Sequence, residues 1–286
     1  MTVARAPAVP HHRGQARQEA RVGQDIAIYV INLDRRPDRL AFMAGQLDAL
    51  GLAWRQVAAV DAQTVADAEL APEVALAGHR VRMGRGSQCC AVTNFRIFRE
   101  LARGDALAAL ILQDDVQLSP ELVPFLRNDG WLPEGIGLIQ LEKYGRKTST
   151  RLAGPPLGES PVPGRQVRRL YSRTGGAGAF IVTRTAARTI IARKGVLDVP
   201  IDHFLFSPNA GWVFGAVGVA IVTPALAVQR QEAFASDIAA ERSSDPKPLP
   251  ARLRRLWMEV NRAPMQAAAW IGGARPVPFG FEDRTG

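Results

Sequence analysis

Cysteine is nearly absent from this 286-residue chain, and its two copies stand side by side as Cys89 and Cys90. Adjacent cysteines build neither a disulfide framework nor a zinc site, and such scarcity fits a reducing compartment. Their expected role is that of small buried side chains. Histidine is also scarce: His11 and His12 lie near the start, while His79 and His203 are far apart. A histidine metal cluster therefore finds little support. Long apolar runs are lacking too. Residues 1–24, rich in Arg, Ala, Gln and Pro, have no apolar core segment. They read as a disordered basic arm rather than a secretory signal. One stretch, 211–228, carries no charge over a length at which a membrane span is conceivable. Gly211, Gly215, Gly218 and Pro224 interrupt it, so it reads as buried strand, turn and strand.

What the chain does have is an ordinary globular balance, 47% hydrophobic and 22% charged, with a net charge of +9. Its length suits one large α/β domain or two small ones. The positive charge is uneven. Lys143, Arg146, Lys147, Arg151, Arg165, Arg168, Arg169 and Arg173 crowd what reads as a loop rich in Pro and Gly, opposed only by Glu142 and Glu159. A second basic cluster covers 251–262, where Leu253, Leu256, Trp257 and Val260 share one helical face. Such a helix either rests on an anionic bilayer or covers the domain's own core. No zinc finger and no interleaving of basic and aromatic residues accompanies the charge, so a nucleic-acid partner is not expected.

Strand and helix patterns alternate. Residues 26–33 read as a buried strand, and Pro37 then opens a helix carrying Leu40, Met43, Leu47 and Leu50 at helical spacing. A second strand covers 54–60, a second helix 90–103, further strands 107–112, 135–141 and 180–182, and a helix 184–193. This alternation predicts a layered α/β sheet flanked by helices. From about Ser243 the chain reads as a polar linker, the basic amphipathic helix and an irregular tail. The organisation expected is therefore an arm at 1–24, a domain at 25–240 and an appended segment at 241–286.

The most informative segment is Leu110-Ile111-Leu112-Gln113-Asp114-Asp115-Val116, an apolar run that ends in two adjacent carboxylates. In an open α/β sheet, ligands bind beyond the carboxyl ends of strands. Two carboxylates and an amide oxygen there suit Mg²⁺ or Mn²⁺ carrying a phosphorylated ligand. Aspartates that merely form the next turn are the plainer alternative. After the first strand, Asn32, Arg35, Arg36 and Arg39 stand beside a helix start, where phosphate is favoured; a solvated charged turn is the competing reading. Asp61, after the second strand, suits hydrogen bonds to a ribose or base, or a turn.

In order and spacing these segments resemble glycosyltransferase family 25, which includes bacterial lipopolysaccharide galactosyltransferases. The resemblance rests on Val30 to Arg39, Ala59-Val60-Asp61, Leu110 to Val116 and Gly176 to Thr183 with Ala186-Ala187. It continues in Pro200-Ile201-Asp202-His203-Phe204-Leu205 and in Pro224 to Gln229 up to Ser236-Asp237-Ile238. It implies a GT-A-like mixed sheet and transfer of a sugar, galactose by family habit, from a UDP-sugar, with inversion and a divalent metal. Asp115 is then the best metal ligand, with Gln113 in place of a family carboxylate and Asp114 on the donor side. An inverting reaction needs a carboxylate to take the acceptor proton, and Asp202 is the candidate. Supporting the metal, or capping a helix that starts at His203, are its other readings. The acceptor expected is an anionic or lipid-linked cell-envelope glycan such as lipopolysaccharide core. The expected location is the cytoplasm, with peripheral contact at the inner membrane face.

This chain departs from the family pattern at three places. Gly86-Ser87-Gln88-Cys89-Cys90-Ala91-Val92-Thr93-Asn94 lacks the usual Glu and Ser-His pair, and Ala177-Gly178 replaces Thr-His. Gln113 replaces an acid. These losses leave open a degenerate member that binds nucleotide or glycan without transfer.

Overall fold

The computed structural model describes residues 26–127, 129–145, 147–230 and 263–282. Strand β1 (Ile26–Asn32) is rich in β-branched residues, as suits a strand covered on both faces. Helix α1 (Pro37–Ala49) follows, with Pro37 in its first turn and Met43 and Leu47 buried. Gly51, at φ +65°, carries the chain out of the helix. Strand β2 (Arg55–Ala58) runs parallel to β1. After the short α2 (Asp67–Leu70), helix α3 (Arg85–Arg103) buries Val92, Phe95, Phe98 and Leu101. It begins at Arg85 rather than at Cys90; the weak helix formers Gly86 and Ser87 in its first turn mask that start in the sequence.

Strand β3 (Ala108–Gln113) runs parallel to β1, and β4 (Val116–Leu118) follows a two-residue turn. Next come α4 (Leu122–Arg127), β5 (Leu138–Gln140), β6 (Glu142–Lys143), β7 (Ser149–Pro156) and β8 (Gln166–Leu170). Strand β9 (Ala179–Thr183) leads directly into α5 (Arg184–Arg193), which Thr183 caps by accepting from the Ala186 N–H. Helices α6 (Ile201–Phe206) and α7 (Val213–Val217), strands β10 (Val219–Thr223) and β11 (Ala227–Gln229), helix α8 (Ala263–Ile271) and strand β12 (Arg275–Phe279) complete the described chain.

Nine strands form one mixed sheet in the order β12-β7-β8-β10-β5-β9-β3-β1-β2, and β4-β11-β6 form a smaller one. Alternate residues of β3 serve opposite faces. Ala109 and Ile111 join a core with α3, α5 and α6, while Ala108, Leu110 and Leu112 join a core with α1 and α4. The result is the expected α/β sheet flanked by helices, compatible with a single GT-A-like domain.

Three expectations need correction. The basic segment at 143–173 is no loop: much of it forms β6 and the β7–β8 pair. Its prolines are accommodated where the register shifts between Ala153 and Pro156. The tail is not irregular, since 263–271 is helical and β12 pairs with β7 despite Pro276 and Pro278, which an edge strand tolerates. The uncharged stretch opens with helix α7 before its two strands. No described helix is long and apolar enough to cross a membrane. The arm at 1–24 and the basic amphipathic segment at 251–262 lie outside the described residues.

Candidate functional site

Parallel strands β1 and β3 end together, with Ile31 opposite Gln113, so Asn32 and Asp114-Asp115 meet at one carboxyl edge. Asn32 Nδ2 donates to Asp114 Oδ2 at 2.7 Å and to the Arg36 carbonyl at 2.9 Å. Arg39, buried in α1, reaches Asp114 Oδ1 at 3.3 Å. Burial pushes the Asp114 pKa up, and Asn32 and Arg39 pull against it. This network fixes the turn that carries Asp115.

Close by, Arg35 pairs with Asp61 at 2.8 Å and Arg36 with Asp38 at 2.8 Å. Asp61 also accepts the Gln63 N–H at 2.9 Å, so it forms its local turn as well. Each of the three arginines at the helix start thus already faces a carboxylate.

Asp115 is different. Its buried Oδ1 has no hydrogen-bond partner among the described residues. Burial, with the Asp114 charge adding to it, pushes its pKa up to about 6. Glu142 and Asp202 complete an acidic group that the sequence does not reveal, because there Glu142 stands only as a counter-charge to the basic segment. The usable signal was a carboxylate directly after an apolar strand, the same signature as at Asp114.

Glu142 is wholly buried. Its Oε2 accepts the Gly178 N–H, and Oε1 has no partner among the described residues. Burial, foremost, and the charges of Asp115 and Asp202 push its pKa up to about 8. The carboxyl sits against the glycine segment so closely that a Cβ at Gly176 would lie 2.7 Å from Oε2. Gln140 fixes the same segment by donating to the Gly175 and Gly176 carbonyls at 2.8 and 2.9 Å.

Asp202 is the second residue of α6, which starts at Ile201 with Pro200 before it, so Asp202 is not the N-cap of a helix starting at His203. Its Oδ1 accepts the His203 N–H at 2.9 Å and Oδ2 the Gly176 N–H at 3.3 Å. A carboxylate offers about four acceptor positions, so both oxygens can take another proton donor.

The altered residues are integrated into the fold. Thr93 Oγ1 accepts the Val60 N–H at 3.0 Å, and Asn94 Nδ2 donates to the Cys90 carbonyl at 2.8 Å. The Gln113 amide donates to Cys90 Sγ at 3.5 Å and accepts from Gln229 at 3.2 Å. Burial lifts the Cys90 pKa to about 12, so its thiol is no nucleophile at neutral pH.

No group of three His, Cys, Asp or Glu side chains among the described residues could cage a metal ion. Mg²⁺, however, is ordinarily held by one or two carboxylates, with phosphates and waters supplying the remaining ligands. The unpartnered oxygen of Asp115 fits that type of site, whereas the Gln113 oxygen is already engaged by Gln229.

Comparison with known proteins bears on this arrangement. Residues 25–205 match the family model "Glycosyltransferase family 25 (LPS biosynthesis protein)". A "Glycosyltransferase 25 family member" of Aedes aegypti is 31% identical over 65% of the chain, and one of Anopheles gambiae is 30% identical over 65%. The match spans 32% and 33% of those proteins, so the chain covers about a third of their length. "Lipooligosaccharide biosynthesis protein lic2B" of Haemophilus influenzae is 22% identical over 55% of the chain and 59% of its own length.

Proposed function

The chain belongs to glycosyltransferase family 25, and from that premise we propose that it moves a sugar from a nucleotide donor to an anionic cell-envelope glycan. The observation that carries this reading is the unpartnered Asp115 oxygen at the carboxyl edge of β3, in one acidic group with Asp202. The family's description and the printed name of the Haemophilus relative favour a lipopolysaccharide-type acceptor.

In this mechanism Asp115 would hold Mg²⁺ or Mn²⁺, and Gln113, whose amide oxygen now accepts from Gln229, would be the second protein ligand. Bound there, the metal would neutralise charge developing on the departing diphosphate. Asp114, braced by Asn32 and Arg39, holds the turn in place. Arg35, Arg36 and Asp61 face the donor and exchange their mutual pairs for its phosphate and ribose oxygens. Asp202 accepts the proton of the attacking hydroxyl, as an inverting displacement requires. A UDP-sugar, UDP-galactose first, is the donor to try. A cytoplasmic enzyme touching an anionic membrane is the setting we propose. Binding without transfer is the second reading, and the Gln113–Gln229 bond favours it because it occupies one proposed metal ligand.

The test is hydrolysis of a panel of nucleotide sugars by the purified chain with Mn²⁺, Mg²⁺ or chelator. Metal-dependent release of one nucleotide is expected. Nucleotide binding with no turnover across the panel would favour the binding protein, and no binding at all would remove the donor site.

A further inference from the structure

Many cations of this fold face an acid, among them Arg80 with Asp198 and Arg99 with Glu73. Three beside the acidic group form no ion pair among the described residues. Lys143, in β6, gives its ammonium to the backbone carbonyls of Tyr144 and Gly145. Arg151, in β7, lies over the Phe279 ring at 5.7 Å and donates Nη1 to the Thr150 carbonyl at 2.9 Å. Its buried Nε has no partner among the described residues. Arg173 places Nη2 2.8 Å from His203 Nε2.

The backbone brings these groups together. Leu152 accepts the Tyr171 N–H at 2.9 Å and donates its own N–H to Ser172 Oγ at 3.0 Å, which sets Arg151 beside Arg173. Repulsion between Arg151 and Arg173, and between Lys143 and Arg151, adds to burial in lowering the pKa values of Lys143 and Arg151. Glu142 pulls the Lys143 pKa back up, but among the described residues no carboxylate forms an ion pair with any of the three, so these like charges form a site that lacks its anion.

We propose that Lys143, Arg151 and Arg173 form a subsite for a phosphate monoester carried by the acceptor, next to the Asp202 base. A dianion answers three cations better than a carboxylate does, and arginine forks match phosphate oxygens. The acceptor, rather than the donor, is the source because the subsite connects to Asp202. Arg173 meets His203, whose N–H donates to Asp202, and Gly176 donates to the same carboxylate. This rests on the transferase reading, in which Asp202 takes the acceptor proton.

Calorimetry of the full chain with inorganic phosphate in low-salt buffer tests it, with acetate as control and UDP as competitor. Expected is one phosphate per chain, acetate much weaker, and no displacement by saturating UDP. Arg151→Gln and Arg173→Gln should each weaken phosphate by roughly tenfold, as loss of a charge-assisted bond implies. Arg173 is exposed, so its variant carries the test if Arg151→Gln does not fold. Unchanged phosphate binding in folded variants, equal binding of acetate, or no phosphate binding would overturn the subsite. Displacement by UDP would assign these cations to the donor instead. Failure of UDP to bind, with phosphate still sensitive to Arg173, would strike the transferase reading and leave the anion site standing.

Discussion

Two carboxylates with the same location differ in what holds them. Asp114 is braced by Asn32 and Arg39, while Asp115 has one oxygen with no partner among the described residues. Replacing Asp115 by Asn should therefore leave the fold intact and remove the metal-linked chemistry. Donor hydrolysis should fall by roughly a hundredfold or more. If Asp115 holds the metal, Mn²⁺ should raise the Tm of the parent chain and not that of the variant, and thermal melts with and without metal read this independently of turnover. Equal activity in the variant would end the metal role of Asp115.

Glu142 predicts a pH dependence. An unfolded glutamate loses its proton near 4.5, but folded Glu142 keeps it to about pH 8. The native state therefore binds more protons across that window, and stability falls as pH rises through it. Asp115 contributes in the same direction between 3.8 and about 6. In Glu142→Gln, an amide can still accept the Gly178 N–H and carries no charge. Its Tm should decline less than that of the parent between about pH 5 and about pH 8. Parallel melting curves for the two chains would show that Glu142 is already ionised at neutral pH.

At the scale of elements, the glycine segment before β9 acts as a lid on Glu142. Gly176 has φ +88° and no room for a Cβ, so Gly176→Ala should cost about 1–3 kcal/mol in denaturant unfolding, with activity falling alongside. Much at this scale was legible. The α5 bounds follow from Arg184 to Gly195, and the strand before Asp114 from its apolar run, because local pattern decides buried parallel strands and amphipathic helices. Strand β12 was hidden by its prolines, and β6 by its brevity. What sequence pattern could not carry was pairing at long range. Nothing local joins Glu142 to Gly178, or Arg173 to His203, so the acidic group and the cations beside it emerge only from the fold.

Across the whole molecule Arg165 ties distant segments together. In the sequence it is one of the positive charges crowded into the basic segment, yet it is fully buried. It pairs with Glu121, donates to the Pro224 and Ala225 carbonyls at 2.8 and 2.7 Å, and reaches the Glu282 carbonyl at 2.9 Å. Arg165→Met should cost roughly 3 kcal/mol or more, because it leaves buried acceptors unpaired, and denaturant midpoints would measure it. A loss below about 1 kcal/mol would mean that water replaces the guanidinium.

The two borders of the large sheet are unequal, and the longer one carries a further consequence. Strand β12 presents Pro276 and Pro278 opposite Leu152 and Thr150, and the Pro278 carbonyl is taken by Thr223 Oγ1 at 2.8 Å. Two of its five residues have no N–H to offer a neighbouring molecule, and one outward acceptor is spent. The border is therefore blunted against templating: another chain's strand cannot extend the sheet there into a stack. At the opposite border β2 is only four residues long, too short to seed one. Replacing both prolines by valine should increase self-association through this border relative to the parent chain, a change that light scattering on gentle warming would reveal.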